Sequence, residues 1–238
     1  MNDILFISFT TDYSAPFKGD SRFKKFNPTQ QIKNVSEGYG YKFHEKQFEN
    51  VSELRDFLKN EKTPYDLIYL ASHGDAKGIR IYDEKTRDDK FEHYRWADLA
   101  FNFCESAAVS EDTIFYMGCC FGGYKRTSLI LMANCPKITH VAGLPCPLRI
   151  VDSPLAFNVF LHNVVLFNDS ERVNKKITDL IGVQFNHYCK YNLDAELLQV
   201  WNSSYLPDEY FTLEQLKEQS RQTSEDLNKP IEVIDTAA

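Results

Sequence analysis

Leu67-Ile68-Tyr69-Leu70-Ala71-Ser72-His73-Gly74 and Ile114-Phe115-Tyr116-Met117-Gly118-Cys119-Cys120-Phe121-Gly122-Gly123 decide the reading of this chain. Each is a block of four apolar residues, then small or polar residues, then a residue capable of chemistry. Apolar runs this short, rich in aromatic and β-branched residues, read as buried strands of a parallel sheet. Parallel strands end at one common edge, and ligand sites lie outside their carboxyl ends. His73 and Cys120, 47 residues apart in sequence, are therefore expected side by side on loops at that edge.

Working outward, strands and helices alternate. Ile4–Phe9 reads as the first strand, and residues 10–30 as a polar, Lys-rich loop that covers or lines the active edge. Gln30–Glu37 is predicted helical, Tyr41–Phe48 an outer strand, and Val51–Leu58 a helix capped by Asn50 or Ser52. Asp75–Tyr94 is charged around a short apolar island. It reads as a solvated hairpin or loop, with a substrate-facing or processing-sensitive loop as the functional alternative. Arg95–Ala108 and Tyr124–Ala133 read as helices, and Ile138–Leu144 as a strand ending in a proline-rich turn. Ser153 is expected to cap the next helix, with Pro154 at its first position and Leu155, Val159, Leu161 or His162, and Val165 on its apolar face. From Asp169 the pattern is helical to roughly Asn192, and again from Leu213 to Leu227. The predicted class is α/β with a largely parallel sheet. The division is a core over residues 1–168 and a helical C-terminal extension over 169–238, packed on the same domain.

The chain has 238 residues and a net charge of −7. An anionic protein is a poor ligand for nucleic acid or for an anionic membrane, so neither is an expected partner. The N-terminus carries an acid where a signal peptide needs positive charge, and the longest apolar stretch, residues 155–167, is interrupted and too short to span a bilayer. A cytoplasmic location with reduced thiols is the expectation. None of the six cysteines form CxxC pairs or sit at zinc-ligand spacing with histidine, so no metal or other cofactor is expected. Cys104, Cys135 and Cys189 read as small buried hydrophobes, and His140, His162 and His187 as structural.

A thiolate attacks a carbonyl carbon when it is exposed on a tight turn, when a base handles the proton, and when backbone N–H groups face the oxyanion. Gly118–Gly123 supplies the turn, its glycines giving close substrate approach and a sharp reversal. The helix that follows aims its N-terminus at the sulfur and lowers the thiol pKa. Gly74 leaves room for a carbonyl oxygen beside His73. Strand-like alternation sends Cys119 back toward the core if Cys120 points out, which leaves Cys119 as the alternative sulfur.

The apolar-block–His–Gly and apolar-block–small–Cys pair resembles the caspase-like cysteine peptidases: caspases, legumains, gingipains and separases. The His-to-Cys separation is close to the about 50 residues of caspases. Gly118-Cys119-Cys120-Phe121-Gly122-Gly123 lacks the caspase Gln-Ala-Cys-x-Gly, and its double cysteine is similar to the metacaspase pattern. Val141–Pro147 and Val151–Phe157 resemble the segment after the nucleophile in the separase-related CHAT branch, without its Trp. The resemblance implies an α/β/α sandwich over roughly residues 65–167, Cys120 as nucleophile, His73 as proton shuttle, and an oxyanion hole from the N–H groups of Gly74 and Cys120. It also implies that Asp152 binds a basic P1 side chain; an acid opening a helix is the other reading of Asp152. Asp75, at the start of the charged stretch, is the second candidate substrate-binding carboxylate. A protein substrate and a regulatory or sensor partner are implied, with a bacterial defence or cell-death role and a gasdermin-like substrate among the possibilities the CHAT branch suggests.

Two rivals stand beside this. Gly118-Cys119-Cys120-Phe121-Gly122 also fits the nucleophile elbow of an α/β-hydrolase similar to dienelactone hydrolases, with His187 and Asp169 or Asp152 completing a triad. The other is a caspase-like fold serving as an inactive interaction module.

Overall fold

The computed structural model describes residues 3–9, 27–82, 91–145, 152–167 and 170–193. In chain order the elements are β1 (Asp3–Phe9), α1 (Pro28–Gly38), β2 (Lys42–Phe48), α2 (Val51–Asn60), β3 (Tyr65–Ala71), β4 (His73–Gly74), β5 (Gly78–Tyr82) and β6 (Phe91–Arg95). They continue as α3 (Trp96–Cys104), β7 (Val109–Gly118), α4 (Lys125–Asn134), β8 (Ile138–Gly143), α5 (Asp152–Phe167), α6 (Ser170–Ile181) and β9 (Asn186–Cys189). The main sheet has the order β2-β1-β3-β7-β8-β9. Its first five strands are parallel and β9 is antiparallel to β8. The class is α/β with a mostly parallel central sheet.

The apolar blocks are continuous because both faces of the sheet are covered. Along β3, Leu67, Tyr69 and Ala71 pack into one cluster, and Ile68 and Leu70 into the other. The first cluster holds Ile32 of α1, Phe157 and Phe160 of α5, and Val173 and Ile177 of α6. The second holds Leu54 of α2, Trp96 and Phe103 of α3, and Leu131 of α4. Each fully buried large side chain contributes about 1.5–3 kcal/mol, and the strand stretches between the two layers, 67–70 and 114–117, carry no charge, whereas Asp66, Glu111 and Asp112 are exposed nearer the strand starts. Helices thus lie on both faces. The switch of face follows the switch of direction: β1 and β2 are joined through α1 on one side, and the rest of the parallel strands through helices on the other.

Several local expectations change. α5 begins at Asp152, so Ser153 is inside its first turn, not the cap. The Ser153 hydroxyl shares a buried hydrogen bond with the Tyr69 hydroxyl, and the Tyr116 hydroxyl donates to the Ser153 carbonyl at 3.4 Å. This anchoring turns Ala156, Phe157, Phe160 and Leu161 to the sheet and leaves Leu155 43% exposed. The helix is apolar nearly all round, so its periodicity did not choose between the two faces. Among the other expected positions Val159 packs at the margin of the buried set. The side chain of Val165 lies outside the described residues.

The helical run read from Asp169 to Asn192 ends at Ile181. Gly182 stops it at φ 66°, its N–H donating to the Thr178 carbonyl at 2.9 Å. Asn186–Cys189 is then a strand, so the C-terminal part read as helical also completes the sheet. β7 starts five residues before the apolar block, with a register shift at Thr113/Ile114 and Asp112 at φ 69°. At that irregularity polar Ser110-Glu111-Asp112 joins the strand ahead of the apolar block. The charged stretch after Gly74 is a hairpin, β5 with β6, but Ile79, Ile81 and Tyr94 are buried. Residues 10–26, Cys146 and the helix read at Leu213–Leu227 lie outside the described residues.

Candidate active site

β3 and β7 are paired in parallel, with Ala71 opposite Gly118 at the last rung. His73 and Cys120 each follow two residues later, at the same carboxyl edge. His73 is exposed, on β4, and Cys120 is partly exposed. Gly74 joins the two stretches: a Cβ there would run into the Cys120 carbonyl oxygen and lie 3.5 Å from Cys119 Sγ. The space read as room for substrate beside Gly74 is thus filled by the backbone of the cysteine loop.

The cysteine loop is a tight reversal. The Gly122 N–H donates to the Cys119 carbonyl at 3.2 Å, and Phe121 between them sits at φ 60°. A bulky side chain in the left-handed region costs on the order of 1–3 kcal/mol and needs its surroundings to hold it. Here the Thr127 hydroxyl and the Tyr124 N–H both donate to the Phe121 carbonyl at 3.2 Å. Gly123 is clamped on both sides, its N–H donating to the Leu144 carbonyl at 3.0 Å and its carbonyl accepting from Asn186 Nδ2 at 2.9 Å. The glycines serve this packing, since a Cβ on Gly122 or Gly123 would strike Met117 or the β8 backbone.

The two cysteines differ. Cys119 is fully buried with the core cluster of α2, α3 and α4, whereas Cys120 reaches the surface. α4 starts at Lys125, directly beyond this loop, with Lys125 and Arg126 and no acid in its first turn. Helix dipole and cations therefore add to one positive potential at that end. Beneath the loop, Gly118 rests on the Tyr69 ring, where a Cβ would lie 2.6 Å from the phenol oxygen. Burial pushes the Tyr69 phenol far up, against the Ser153 hydrogen bond that lowers it, and the nearby Cys119 adds to the rise. Tyr69 and Tyr116 both hold Ser153, which fixes the start of α5 on the face of β3 and β7. Asp152 is partly buried and is the acid of the first turn of α5.

Asp75 is held by the turn and hairpin that follow it. Its Oδ1 accepts from the Lys77 N–H at 2.7 Å and the Gly78 N–H at 3.0 Å, and its Oδ2 from Arg80 Nε at 2.6 Å. His93 Nε2 adds a contact of 3.3 Å to Oδ1. Burial alone raises its pKa, but the Lys77 N–H and the Arg80 guanidinium, then the Gly78 N–H, hold the carboxyl below its usual range. The carboxylate is engaged within the hairpin that follows His73. Arg80, His93 and Asn186 went unnoticed in sequence. Gly182, as a helix stop, was the available signal for the strand that carries Asn186.

His187, the base of the alternative triad, is on β9, two strands from β7. It is 7% exposed and packs edge-on against Phe160, and its Nε2 shares a 3.0 Å hydrogen bond with His140 Nδ1. Asp169 lies outside the described residues. Burial, then the proximity of His140, pushes the His187 pKa down to about 3. A histidine depressed in the fold is neutral there and charged when unfolded below about 6.5. Its contribution is therefore complete above that pH and is lost as pH falls from 6.5 toward 3. We expect urea midpoints to drop between pH 6.5 and 4.5, with His187 responsible for roughly 1 kcal/mol per pH unit. His187→Phe should flatten that slope; equal slopes in wild type and variant would refute this assignment.

Among the described residues no three or more His, Cys, Asp or Glu side chains group to hold a metal ion. No described helix is long and apolar enough to cross a membrane. No family model matches the chain, and no curated protein matches it in sequence.

Proposed function

We propose that this chain is a caspase-like cysteine endopeptidase of the CHAT and separase-like branch, with a Cys120/His73 dyad. The observation that carries the reading is the β3–β7 register, which gives His73 and Cys120 the same offset past one rung, with Gly74 against the Cys120 backbone. In this reading His73 takes the proton of the Cys120 thiol, and the resulting thiolate, favoured by the positive start of α4, attacks the scissile carbonyl carbon. The oxyanion is met by the N–H groups of Gly74 and Cys120. The C–N bond breaks as His73 delivers a proton to the leaving amine, and a thioester remains on Cys120. His73 then takes a proton from water, which attacks the thioester and regenerates the thiol.

Asp152 is proposed to select Arg or Lys at P1, as a carboxylate at the edge of the cleft pairs strongly with a guanidinium. The substrate is a protein, and a regulatory partner controls access to it. The test is sequencing of products from a peptide library, wild type against Cys120→Ala. The reading expects Cys120-dependent cuts clustered after Arg and Lys. Cuts after Asp alone would reject the P1 assignment, and no Cys120-dependent cuts would reject the peptidase.

A further inference from the structure

The three-stranded sheet β4-β5-β6 contains a row that the peptidase reading does not use. His73 is opposite Arg80, and Arg80 is opposite His93. Directly opposite residues of an antiparallel pair share a face, with Cβ atoms about 4.5–5.5 Å apart. The carboxylate of Asp75 holds the row from below. One oxygen accepts from Arg80 Nε at 2.6 Å, and the other from His93 Nε2 at 3.3 Å and from the Lys77 and Gly78 N–H groups.

The backbone of the same residue is committed too. Its N–H donates to the Gly78 carbonyl at 2.9 Å, and its carbonyl accepts from Trp96 Nε1 at 3.1 Å. Trp96 is fully buried and its own N–H donates to the Lys77 carbonyl at 3.1 Å. The turn after Gly74 is therefore bolted to α3 and to β5. On its other side Gly74 has no slack, because the Cys120 carbonyl oxygen occupies the place of a Cβ. His73 lies between two fixed points, the Cys120 loop and the Asp75 buckle.

We infer that Asp75 is a positioning residue for His73, acting through Arg80 and the β4–β5 turn, and is not a substrate-binding carboxylate. This rests on the proposed dyad. Its ionic bond sets where Arg80 lies, and Arg80 is the cross-strand neighbour that limits where the imidazole can swing. A displacement of about 1 Å in a group that transfers protons costs up to about 10²-fold in rate with little effect on ground-state binding.

The experiment compares Asp75→Asn, Asp75→Glu and wild type on a peptide amide cut by the wild type, with Cys120→Ala beside them. Asn keeps an oxygen for the Lys77 and Gly78 N–H groups and drops the charge that holds Arg80. The expected result for Asp75→Asn is a tenfold to hundredfold fall in kcat, KM within about threefold of wild type, and a lowered Tm, from the lost Arg80 ion pair, that still leaves the protein fully folded at the assay temperature. Asp75→Glu, with charge but a longer reach, should recover part of the loss. A raised KM for Arg- and Lys-P1 peptides at constant kcat would overturn the inference in favour of substrate binding. Unchanged kinetics would also overturn it, as would a loss of kcat matched by an equal loss of folded protein. If wild-type turnover survives Cys120→Ala, the dyad itself fails, which is a distinct result from all of these.

Discussion

Cys120→Ala is expected to reduce peptide hydrolysis by on the order of 10⁴-fold or more, while Cys119→Ala keeps most of it. The two thiols are adjacent in sequence but on opposite sides of the backbone. Cys119 is sealed in the core with Met117 and Leu70, and Cys120 reaches the surface on the turn that feeds α4. A buried thiol far from solvent has no route to a peptide carbonyl. Its removal leaves a small void and costs about 1 kcal/mol of stability. The measurements are initial rates with Tm on both variants. A dead Cys119→Ala beside an active Cys120→Ala would reverse the assignment of the sulfur.

The second large effect is on stability. Gly123→Ala should destabilise the protein by roughly 3 kcal/mol and take activity with it. A methyl at Gly123 meets the Gly143 carbonyl and lies 2.7 Å from the Leu144 N–H nitrogen, all backbone of the adjoining strand. No rotamer change relieves a clash with main chain. Either β8 moves away from β7 or the cysteine loop lifts, and the second breaks the Gly123–Leu144 and Asn186–Gly123 hydrogen bonds. Gly38→Ala is the control, since a Cβ there meets nothing within 4 Å at the end of α1. It should be neutral or stabilising by about 0.5 kcal/mol. Urea unfolding of both variants checks the pair, and equal effects would show that the loop is not held as described.

How much of this was legible beforehand varies by element. The central strands were, because burial on both faces forces the unbroken apolar blocks at 67–70 and 114–117. The helix starting at Val51 was, because Asn50 accepts from the Glu53 N–H at 3.0 Å as a cap should. Cys119 and Cys120 were separable by alternation alone. The face of α5 was not, because Tyr69 chooses it through Ser153, 84 residues away. β9 was hidden by a four-residue strand whose partners lie on β8, and Asn186 with it. The Asp75 buckle was hidden too, since the partners Arg80 and His93 are set by hairpin register and not by any local pattern. At the site, the two stretches were readable as chemistry, but what packs against their glycines was not: the Cβ positions of Gly74 and Gly123 are taken by neighbouring backbone, and those of Gly118 and Gly122 by the Tyr69 and Met117 side chains.

The most direct test of the dyad is peptide mapping by mass spectrometry after treatment with an Arg- or Lys-P1 peptide acyloxymethyl ketone. The expected result is a single adduct on Cys120, lost in His73→Ala although that variant stays folded. An adduct on Cys119, or labelling of Cys120 that proceeds unchanged without His73, would contradict it.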